Sequence, residues 1–171
     1  MKKPTLMQYI IYTAVMLLGI GVDQLTKWLS VFFLKPISTF PIINDVLHLT
    51  YVENEGAAFG MLANHRWVFI IISSVTIAVL IYLVYSGRLL SNKLYTVSVL
   101  MIISGGIGNM IDRIALGYVI DFIDFRLINF AVFNGADSFV CVGAGILMLG
   151  LILDIIKESK RENQNAEDKE N

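Results

Sequence analysis

Long apolar runs alternate with shorter polar stretches along most of this chain. Each run is long enough to cross the ~30 Å hydrocarbon core of a bilayer as an α-helix, which rises ~1.5 Å per residue. The first run follows a short basic start, as in a secretory signal, but no small-x-small cleavage site comes after it, so we interpret it as an uncleaved span. The pattern therefore predicts four transmembrane helices, over residues 9–34, 67–85, 94–111 and 138–156.

The segment 35–66, between the first two spans, has a different pattern. Prolines, asparagines and an aspartate supply turns, and the β-branched and aromatic residues from Val46 to Val52 predict a strand. At the other end, residues 157–171 are charged and lack aromatic side chains, which predicts a disordered tail. The predicted fold class is an all-α integral membrane protein with a small extracytoplasmic β-containing platform, in which residues 1–156 form one membrane-embedded domain.

Basic residues indicate how the helices are oriented. They concentrate at the two termini and in the link between the second and third spans, at Lys2, Lys3, Arg88, Lys93, Lys157, Lys160 and Arg161. Cytoplasmic loops of membrane proteins carry an excess of lysine and arginine, so we expect both termini to be cytoplasmic. The segment 35–66 and the segment around Asp121 would then lie together on the outer face of the membrane.

Composition supports a membrane protein and excludes several other classes. Hydrophobic residues make up 56% of the 171 residues, more than a soluble domain of this size needs for one core. The net charge of −1 gives no basic surplus of the kind that binds nucleic acid. The single cysteine, Cys141, excludes an intramolecular disulfide, and His48 and His65 lack ligand-spaced partners for zinc. No nucleophile-elbow serine is present either, so catalysis would have to rely on carboxylates.

Carboxylates near the membrane are the candidates for chemistry, because a charge inside a bilayer is costly and usually functional. Asp121 follows the third span and Asp137 opens the fourth, so antiparallel neighbouring helices would bring them together at similar depth. Two carboxylates in one site do not both ionise cheaply; one keeps its proton and the other can act as a base. An aspartic peptidase uses this division to activate water and protonate the leaving amine. The alternative is that Asp137 only caps the fourth helix.

Other polar residues near these aspartates have supporting interpretations. Asp112 next to Arg113 predicts a buried ion pair at the end of the third span, and Asn109 shares a helix face with Arg113. Asp23 and Lys27 are four residues apart, which predicts a pair on one face of the first helix. Two loop asparagines can hold a peptide backbone or orient a carboxylate, although loop asparagines more often form turns. These are Asn54 and Asn134.

Two other classes of function are compatible with the residues alone. An ion or proton transporter also has intramembrane carboxylates, but they would be spread through the depth of the membrane, and the halves of this chain show no inverted repeat. A structural or assembly subunit would use polar residues only to pair its helices, and would tolerate Asp121→Asn with a modest loss of stability. The aspartates of this chain cluster at one face, which favours the peptidase.

Five motifs together resemble the lipoprotein signal peptidase family, the bacterial type II signal peptidases. They occur in the family's order over nearly the whole chain, and the set is highly specific although each motif alone is common. The motifs are Asp23-Gln24-x-x-Lys27, Asn54-x-Gly56-Ala57-Ala58-Phe59, Gly105-Gly106-x-Gly108-Asn109-x-x-Asp112-Arg113, Gly117-x-Val119-Ile120-Asp121-Phe122 and Phe133-Asn134-x-Ala136-Asp137-Ser138.

The resemblance implies a multi-pass aspartic endopeptidase of the bacterial inner membrane, with membrane lipid and a prolipoprotein as partners. Its substrate would carry diacylglycerol on a cysteine, and cleavage on the N-terminal side of that cysteine would release the signal peptide. By motif, Asp121 and Asp137 are the catalytic pair. The implied substrate-binding or site-supporting residues are Asn54, Gly56, Asn109, Asp112, Arg113, Asn134, Ala136, Asp23 and Lys27. No cofactor or metal is implied, and we expect the chain to act as a monomer.

The chain departs from the family pattern at two positions. Glu53 precedes the loop asparagine where family members often have a basic residue, and with Glu55 it makes the local charge negative. Gly135 replaces a larger apolar residue, which would loosen the backbone beside Asp137. Neither departure removes a residue that the chemistry needs.

Overall fold

The computed structural model of this chain describes residues 3–56, 65–89 and 92–170. Its helices are α1 (Leu6–Phe33), α2 (Arg66–Tyr85), α3 (Lys93–Ala115) and α4 (Gly135–Glu170). Each of these four helices is long and apolar enough to cross a membrane, which confirms the predicted fold class. Ala57, Ala58 and Phe59 of the second motif lie outside the described residues.

Side-chain caps explain where two of the helices begin. At α1, the Thr5 hydroxyl accepts a hydrogen bond from the Gln8 amide at 3.3 Å, and the Gln8 side chain accepts one from the Thr5 amide at 2.9 Å. This capping box starts α1 earlier than the apolar run predicts. At α3, Asn92 Oδ1 accepts a hydrogen bond from the Leu94 amide at 2.9 Å, which satisfies a backbone donor that the helix itself leaves unpaired.

Helix α3 is the centre of the bundle and packs against each of the other helices. Its side chains of Leu100 and Ile103 are fully buried. Helices α3 and α4 approach each other closely at Gly105, where a Cβ atom would collide with the carbonyl oxygen of Ala136. Most large apolar side chains on the outside of the bundle are exposed, as expected for a surface that contacts lipid.

A three-stranded antiparallel sheet forms the predicted platform, in the order β1 (Thr39–Ile43), β2 (Leu47–Asn54) and β3 (Val119–Asp124). Strand β2 covers the predicted strand, but the sequence pattern does not predict β3, whose aspartates interrupt its apolar alternation. In the register of β2 and β3, Val52 lies opposite Asp121. The sheet therefore fixes Asp121 next to the end of β2.

Helix α4 continues beyond the apolar span, through residues whose composition predicts disorder. Residues 157–170 are helical in the structure. Glutamate, lysine, arginine and glutamine have high helix propensity, and a helix that is already nucleated needs only one further hydrogen bond for each residue it adds. Low hydrophobicity therefore does not prevent helix formation in this part of the chain.

Candidate active site

A buried ion cluster, formed by Asp23, Lys27 and Asp112, joins α1 to α3. Lys27 Nζ lies 2.9 Å from Asp23 Oδ2, as their four-residue spacing predicts, and 2.9 Å from Asp112 Oδ2. All three residues are at most 3% exposed. Gln24 Nε2 donates a further hydrogen bond to Asp112 Oδ1 at 3.0 Å. The charges inside the bundle are therefore paired and hydrogen-bonded, which is the condition for keeping them there.

The predicted ion pair between Asp112 and Arg113 is wrong. Consecutive residues on an α-helix point ~100° apart, so these side chains leave α3 in different directions. Asp112 pairs with Lys27, whereas Arg113 Nη2 donates to the carbonyl oxygen of Gly56 at 3.2 Å. The Arg113 guanidinium also lies 4.9 Å from the ring centre of Phe69 on α2. Arg113 therefore links α3 to α2 and to the chain that follows β2.

The ion cluster also holds the backbone beside Asp121 and Asp137. Asp112 Oδ2 accepts a hydrogen bond from the amide of Ile120 at 3.2 Å, immediately before the first aspartate. The other carboxylate of the cluster accepts a hydrogen bond from the amide of Ala136 at 2.9 Å, immediately before the second. Two segments that are distant from α1 in sequence are thereby held to the same buried charges.

Asp137 lies in the first turn of α4, where Asn134 is the N-cap. Asn134 Oδ1 accepts a hydrogen bond from the Asp137 amide at 2.9 Å, and Asp137 Oδ2 accepts one from the Asn134 amide at 3.2 Å. This reciprocal arrangement is a capping box. The other carboxylate oxygen, Asp137 Oδ1, accepts a hydrogen bond from Asn109 Nδ2 at 2.7 Å and is not part of the cap. Capping alone therefore does not account for the position of Asp137.

Asp121 is 1% exposed and is held by two amides. Asn54 Nδ2 donates to Asp121 Oδ2 at 2.8 Å, and Asn134 Nδ2 donates to Asp121 Oδ1 at 2.7 Å. The pKa of Asp121 is raised to about 6, mainly by burial; the amide hydrogen bonds oppose this rise and the charge of Asp137 adds to it. Asp121 therefore keeps its proton at a higher pH than an exposed aspartate does.

Two asparagines connect the aspartates to the ion cluster. Asn109 Oδ1 accepts hydrogen bonds from Lys27 Nζ at 2.9 Å and from Asn134 Nδ2 at 3.0 Å. Because a lysine ammonium can only donate, this contact fixes which end of the Asn109 amide is the oxygen. The nitrogen of Asn109 is then directed at Asp137. The buried lysine thus determines which group the carboxylate of Asp137 meets.

Asp121 and Asp137 border the same cavity, which has a volume of about 540 Å³. Amides and the Arg113 guanidinium line the part near the aspartates, and the rest of the wall is mostly apolar. The apolar wall consists of residues 130–133, Cys141 and Val142, with Val119. Within the ranges that the structure describes, no group of three or more His, Cys, Asp or Glu side chains could hold a metal ion. The cavity therefore offers acid–base groups to a ligand that also has an apolar part.

At the two positions that depart from the family pattern, Glu53 and Gly135, the residues make ordinary contacts. Glu53 Oε1 accepts hydrogen bonds from Lys35 Nζ and from the Tyr51 hydroxyl, each at 2.9 Å, and these hold the pKa of Glu53 below its usual value. Lys35 thus supplies a positive charge beside Glu53, the position at which family members often have a basic residue. At Gly135, a Cβ atom would lie 3.8 Å from Asp23 Oδ1, which is an ordinary contact. Neither departure displaces the aspartates.

Sequence reasoning assigned no role to two further polar side chains of the site. Gln24 donates to Asp112 and, at 3.2 Å, to the carbonyl oxygen of Gly108. Ser138 borders the cavity, and its hydroxyl donates to the Asn134 carbonyl at 3.0 Å. Both residues belong to the motifs quoted above, and this membership is the signal that could have identified them.

Four helices that are long and apolar enough to span a membrane surround a cavity that two carboxylates border, and these features define a multi-pass membrane protein as the class. A solved structure described as a bacterial membrane enzyme has the same fold, with a TM-score of 0.80 and 29% sequence identity; the match covers 91% of this chain and 94% of that one. A second solved structure with the same description matches with a TM-score of 0.75 and 29% identity, over 88% of this chain and 97% of that one.

The family is shown by sequence comparison. Residues 15–153 match the family model for signal peptidase (SPase) II. The chain is 54% identical to a lipoprotein signal peptidase of Caldanaerobacter subterraneus subsp. tengcongensis, over 73% of this chain and 84% of the relative. It is 46% identical to a lipoprotein signal peptidase of Clostridioides difficile, over 81% of this chain and 93% of the relative. The chain belongs to the signal peptidase II family, as its motifs predicted, and is therefore a membrane peptidase.

Proposed function

We propose that this protein removes the signal peptide from prolipoproteins that carry diacylglycerol on a cysteine, and that it cuts on the N-terminal side of that cysteine. Membership of the signal peptidase II family, and relatives named as lipoprotein signal peptidases, support this substrate class. One observation carries the mechanism: the carboxylates of Asp121 and Asp137 border one cavity and are each held by asparagine amides.

In the proposed mechanism, a water molecule between the two carboxylates attacks the scissile carbonyl carbon. Asp137 is assigned as the base, because its Oδ1 faces the cavity side of the N-terminal turn of α4 and accepts a hydrogen bond from the Asn109 amide. Asp121 holds the proton, because burial raises its pKa to about 6. Asp137 takes a proton from the attacking water, and Asp121 gives its proton to the carbonyl oxygen as the tetrahedral intermediate forms.

Collapse of the tetrahedral intermediate breaks the peptide C–N bond. The proton on Asp137 passes to the leaving amine nitrogen, and Asp121 regains a proton from the hydroxyl group of the intermediate. No covalent bond to the enzyme forms, and both aspartates return to their starting protonation states. One protonated and one ionised carboxyl group therefore suffice for the complete cycle.

A second cavity, of about 270 Å³, offers a place for the signal helix. It lies between α2, α3 and α4, borders Arg113 and Asp137, and continues along Ile77 and Val140. A helix that enters laterally from the lipid between α2 and α4 would bring its C-terminal end to the aspartates. Arg113 and Gly56, whose carbonyl oxygen accepts a hydrogen bond from Arg113, would then contact the extended scissile segment.

The positions of the basic residues support an orientation with both termini in the cytoplasm. In this orientation the sheet and the aspartates lie near the outer face of the bacterial cytoplasmic membrane. We propose a monomer as the active form.

Cleavage of a diacylglyceryl-modified prolipoprotein by the purified protein in detergent tests this proposal. Wild type is compared with Asp121→Asn and Asp137→Asn, and thermal unfolding shows whether each variant is folded. Asp124→Asn is the matched control, because Asp124 lies on the same strand as Asp121 but bonds to Thr50 and Arg126.

We expect wild type and the control to cut before the lipidated cysteine. The two site variants should lose activity by about 10³-fold or more, because each lacks one of the two acid–base groups. An inert wild type would overturn the assignment of substrate. Substantial activity in either folded site variant would overturn the roles of the aspartates.

A further inference from the structure

The segment between β3 and α4 exposes a group of large apolar side chains. Leu127 is 68% exposed, Ile128 is 67% exposed and Phe130 is 50% exposed. Phe133 connects this group to the protein, since its ring stacks on Phe125 with centroids 5.9 Å apart and meets Phe130 edge-on at 5.8 Å. We call residues 125–133 the apolar lip. Outside the spanning helices, apolar side chains this exposed indicate contact with something other than water.

The backbone of the apolar lip is fixed, so the exposure of its side chains is built into the fold. The amides of Phe122 and Ile123 both donate to the Phe133 carbonyl, at 3.0 and 2.8 Å. Asn129 ends the short 3-10 helix Arg126–Ile128 with a positive φ of 49°, which asparagine tolerates better than most residues. The chain therefore presents Leu127 and Ile128 outward.

The charged residue of the same segment, Arg126, bonds to the sheet. Arg126 Nε donates to Asp124 Oδ2 at 3.0 Å, and Arg126 Nη2 donates to Thr39 Oγ1 at 3.2 Å. The charge of Arg126 is thus paired with Asp124 on the platform, whereas the side chains of Leu127 and Ile128 remain exposed.

The apolar face of the lip continues into the cavity and onto the outer surface of α4. Phe130 and Phe133 are part of the cavity wall, and Cys141 and Val142 of α4 form another part of it. Val142 is 51% exposed, so it belongs to both the cavity and the lipid-facing surface of α4. An uninterrupted apolar path therefore leads from the membrane to the aspartates.

We propose that the apolar lip and the adjoining face of α4 bind the acyl chains of the diacylglyceryl group on the substrate cysteine. This inference rests on the proposed function. It identifies the acyl chains as the part of the substrate that occupies the apolar path. A diacylglyceryl cysteine must place a polar peptide bond at the carboxylates while its acyl chains stay out of water. The path between the lip and α4 meets both conditions, because its inner end is polar and its outer end is continuous with lipid.

Substrates that differ only in acyl length test the proposal. One peptide spans the cleavage site and carries a dipalmitoylglyceryl cysteine, and the other carries a dihexanoylglyceryl cysteine. The variant Leu127→Ser/Ile128→Ser removes the outward side chains of the lip. The control is Ile37→Ser/Ile42→Ser, because both residues are 53% exposed and lie on the platform away from the cavity wall.

We expect the lip variant to raise KM for the dipalmitoyl substrate about tenfold, because two apolar side chains no longer cover the chains, and to leave kcat nearly unchanged. KM for the dihexanoyl substrate should change by less than about twofold, and the control should behave like wild type with both substrates. Equal effects on the two substrates, or equal effects of the two variants, would show that the lip does not recognise acyl chains.

A second measurement does not depend on turnover. The folded Asp137→Asn variant is mixed with substrate whose acyl chains carry a terminal diazirine, and the sites of photocrosslinking are mapped by mass spectrometry. Crosslinks to residues 125–133 and to Cys141 or Val142, displaced by unlabelled dipalmitoyl substrate, are the expected result. If diazirine-labelled phosphatidylcholine marks the same residues and substrate does not displace it, the lip contacts only bulk lipid and the proposal is wrong.

Together, the two measurements distinguish a failure of the acyl-chain proposal from a failure of the proposed function. A wild type that cuts neither substrate would overturn the function, whereas displaceable crosslinks at the lip would still show that acyl chains bind there. If wild type cuts both substrates but no crosslinks form at the lip, the proposed function stands and the proposal that the lip binds acyl chains is wrong.

Discussion

Lys27 Nζ and Asn109 Oδ1 lie 2.9 Å apart in the interior of the bundle. Lys27 is only 1% exposed, and the Asn109 amide that receives this bond donates at its other end to Asp137. A charge on α1 therefore orients a side chain on α3, which in turn holds a carboxylate on α4. The effect of Lys27 on the site is positional, because it acts through Asn109.

Lys27→Met should unfold at a lower temperature and lose most activity. The change leaves the buried carboxylates of Asp23 and Asp112 without a cation, and breaking a buried ion pair on one side typically costs about 3–5 kcal/mol. Thermal unfolding in detergent measures the loss. Lys35→Met is the matched control: its ion pair with Glu53 is solvent-exposed, so we expect little change. Equal losses in the two variants would contradict the role of Lys27.

The pH dependence of kcat/KM should be bell-shaped, because the proposed mechanism needs one protonated and one ionised carboxyl group. The alkaline limb should have its midpoint near the raised pKa of Asp121, about 6. It is measured with purified protein at limiting substrate, where kcat/KM reports groups of the free enzyme. A monotonic rise with pH would contradict the pair.

Stability should also depend on pH through Asp121. The folded carboxyl, with its pKa of about 6, binds a proton more tightly than an unfolded aspartate at 3.8, so wild type loses stability as pH rises between these values. Relative to Asp121→Asn, which cannot titrate, the free energy of unfolding should fall by about 2.5 kcal/mol between about pH 4 and about pH 7.5. Unfolding curves at both pH values measure the difference. Parallel behaviour of the two proteins would show that Asp121 titrates normally.

Gly105→Ala should impair activity more than a glycine substitution elsewhere on the bundle. A Cβ at Gly105 meets the carbonyl oxygen of Ala136, so α4 must move at the residue before Asp137. Gly145→Ala is the control, because a Cβ there has no neighbour within 4 Å. The control should be as stable as wild type or up to about 1 kcal/mol more stable. Kinetics and thermal unfolding of both variants test this, and an active Gly105→Ala would indicate that α4 tolerates the shift.

The spanning helices could be predicted from the sequence because a bilayer requires continuous apolar length. The i,i+4 pair of Asp23 and Lys27 could also be predicted, since a helix makes such neighbours local. The pairing of Lys27 with Asp112 could not, because it depends on how α1 packs against α3. Adjacency in sequence favoured Arg113 as the partner of Asp112, and helix geometry prevents that contact.

The platform could be predicted only in part. β-branched and aromatic residues identify β2. Strand β3 contains two aspartates, whose positions match the site but interrupt the alternation that predicts a strand. Pairing with β2 overrides that weak local preference, as is common for strands. In the tail, the side chains of residues 157–164 are exposed, as their low hydrophobicity leads one to expect, yet low hydrophobicity does not decide whether a chain is helical.

Asn134 makes the site asymmetric. Its amide nitrogen contacts Asp121 and its amide oxygen accepts the backbone N–H of Asp137, so one side chain presents opposite polarity to the two halves of the pair. Reversing the amide would set donor against donor on one side and acceptor against acceptor on the other. The two aspartates are therefore not interchangeable in the way that two halves related by a twofold axis would be. In the proposed mechanism, the orientation of this single buried amide therefore gives the two aspartates different surroundings before a substrate arrives.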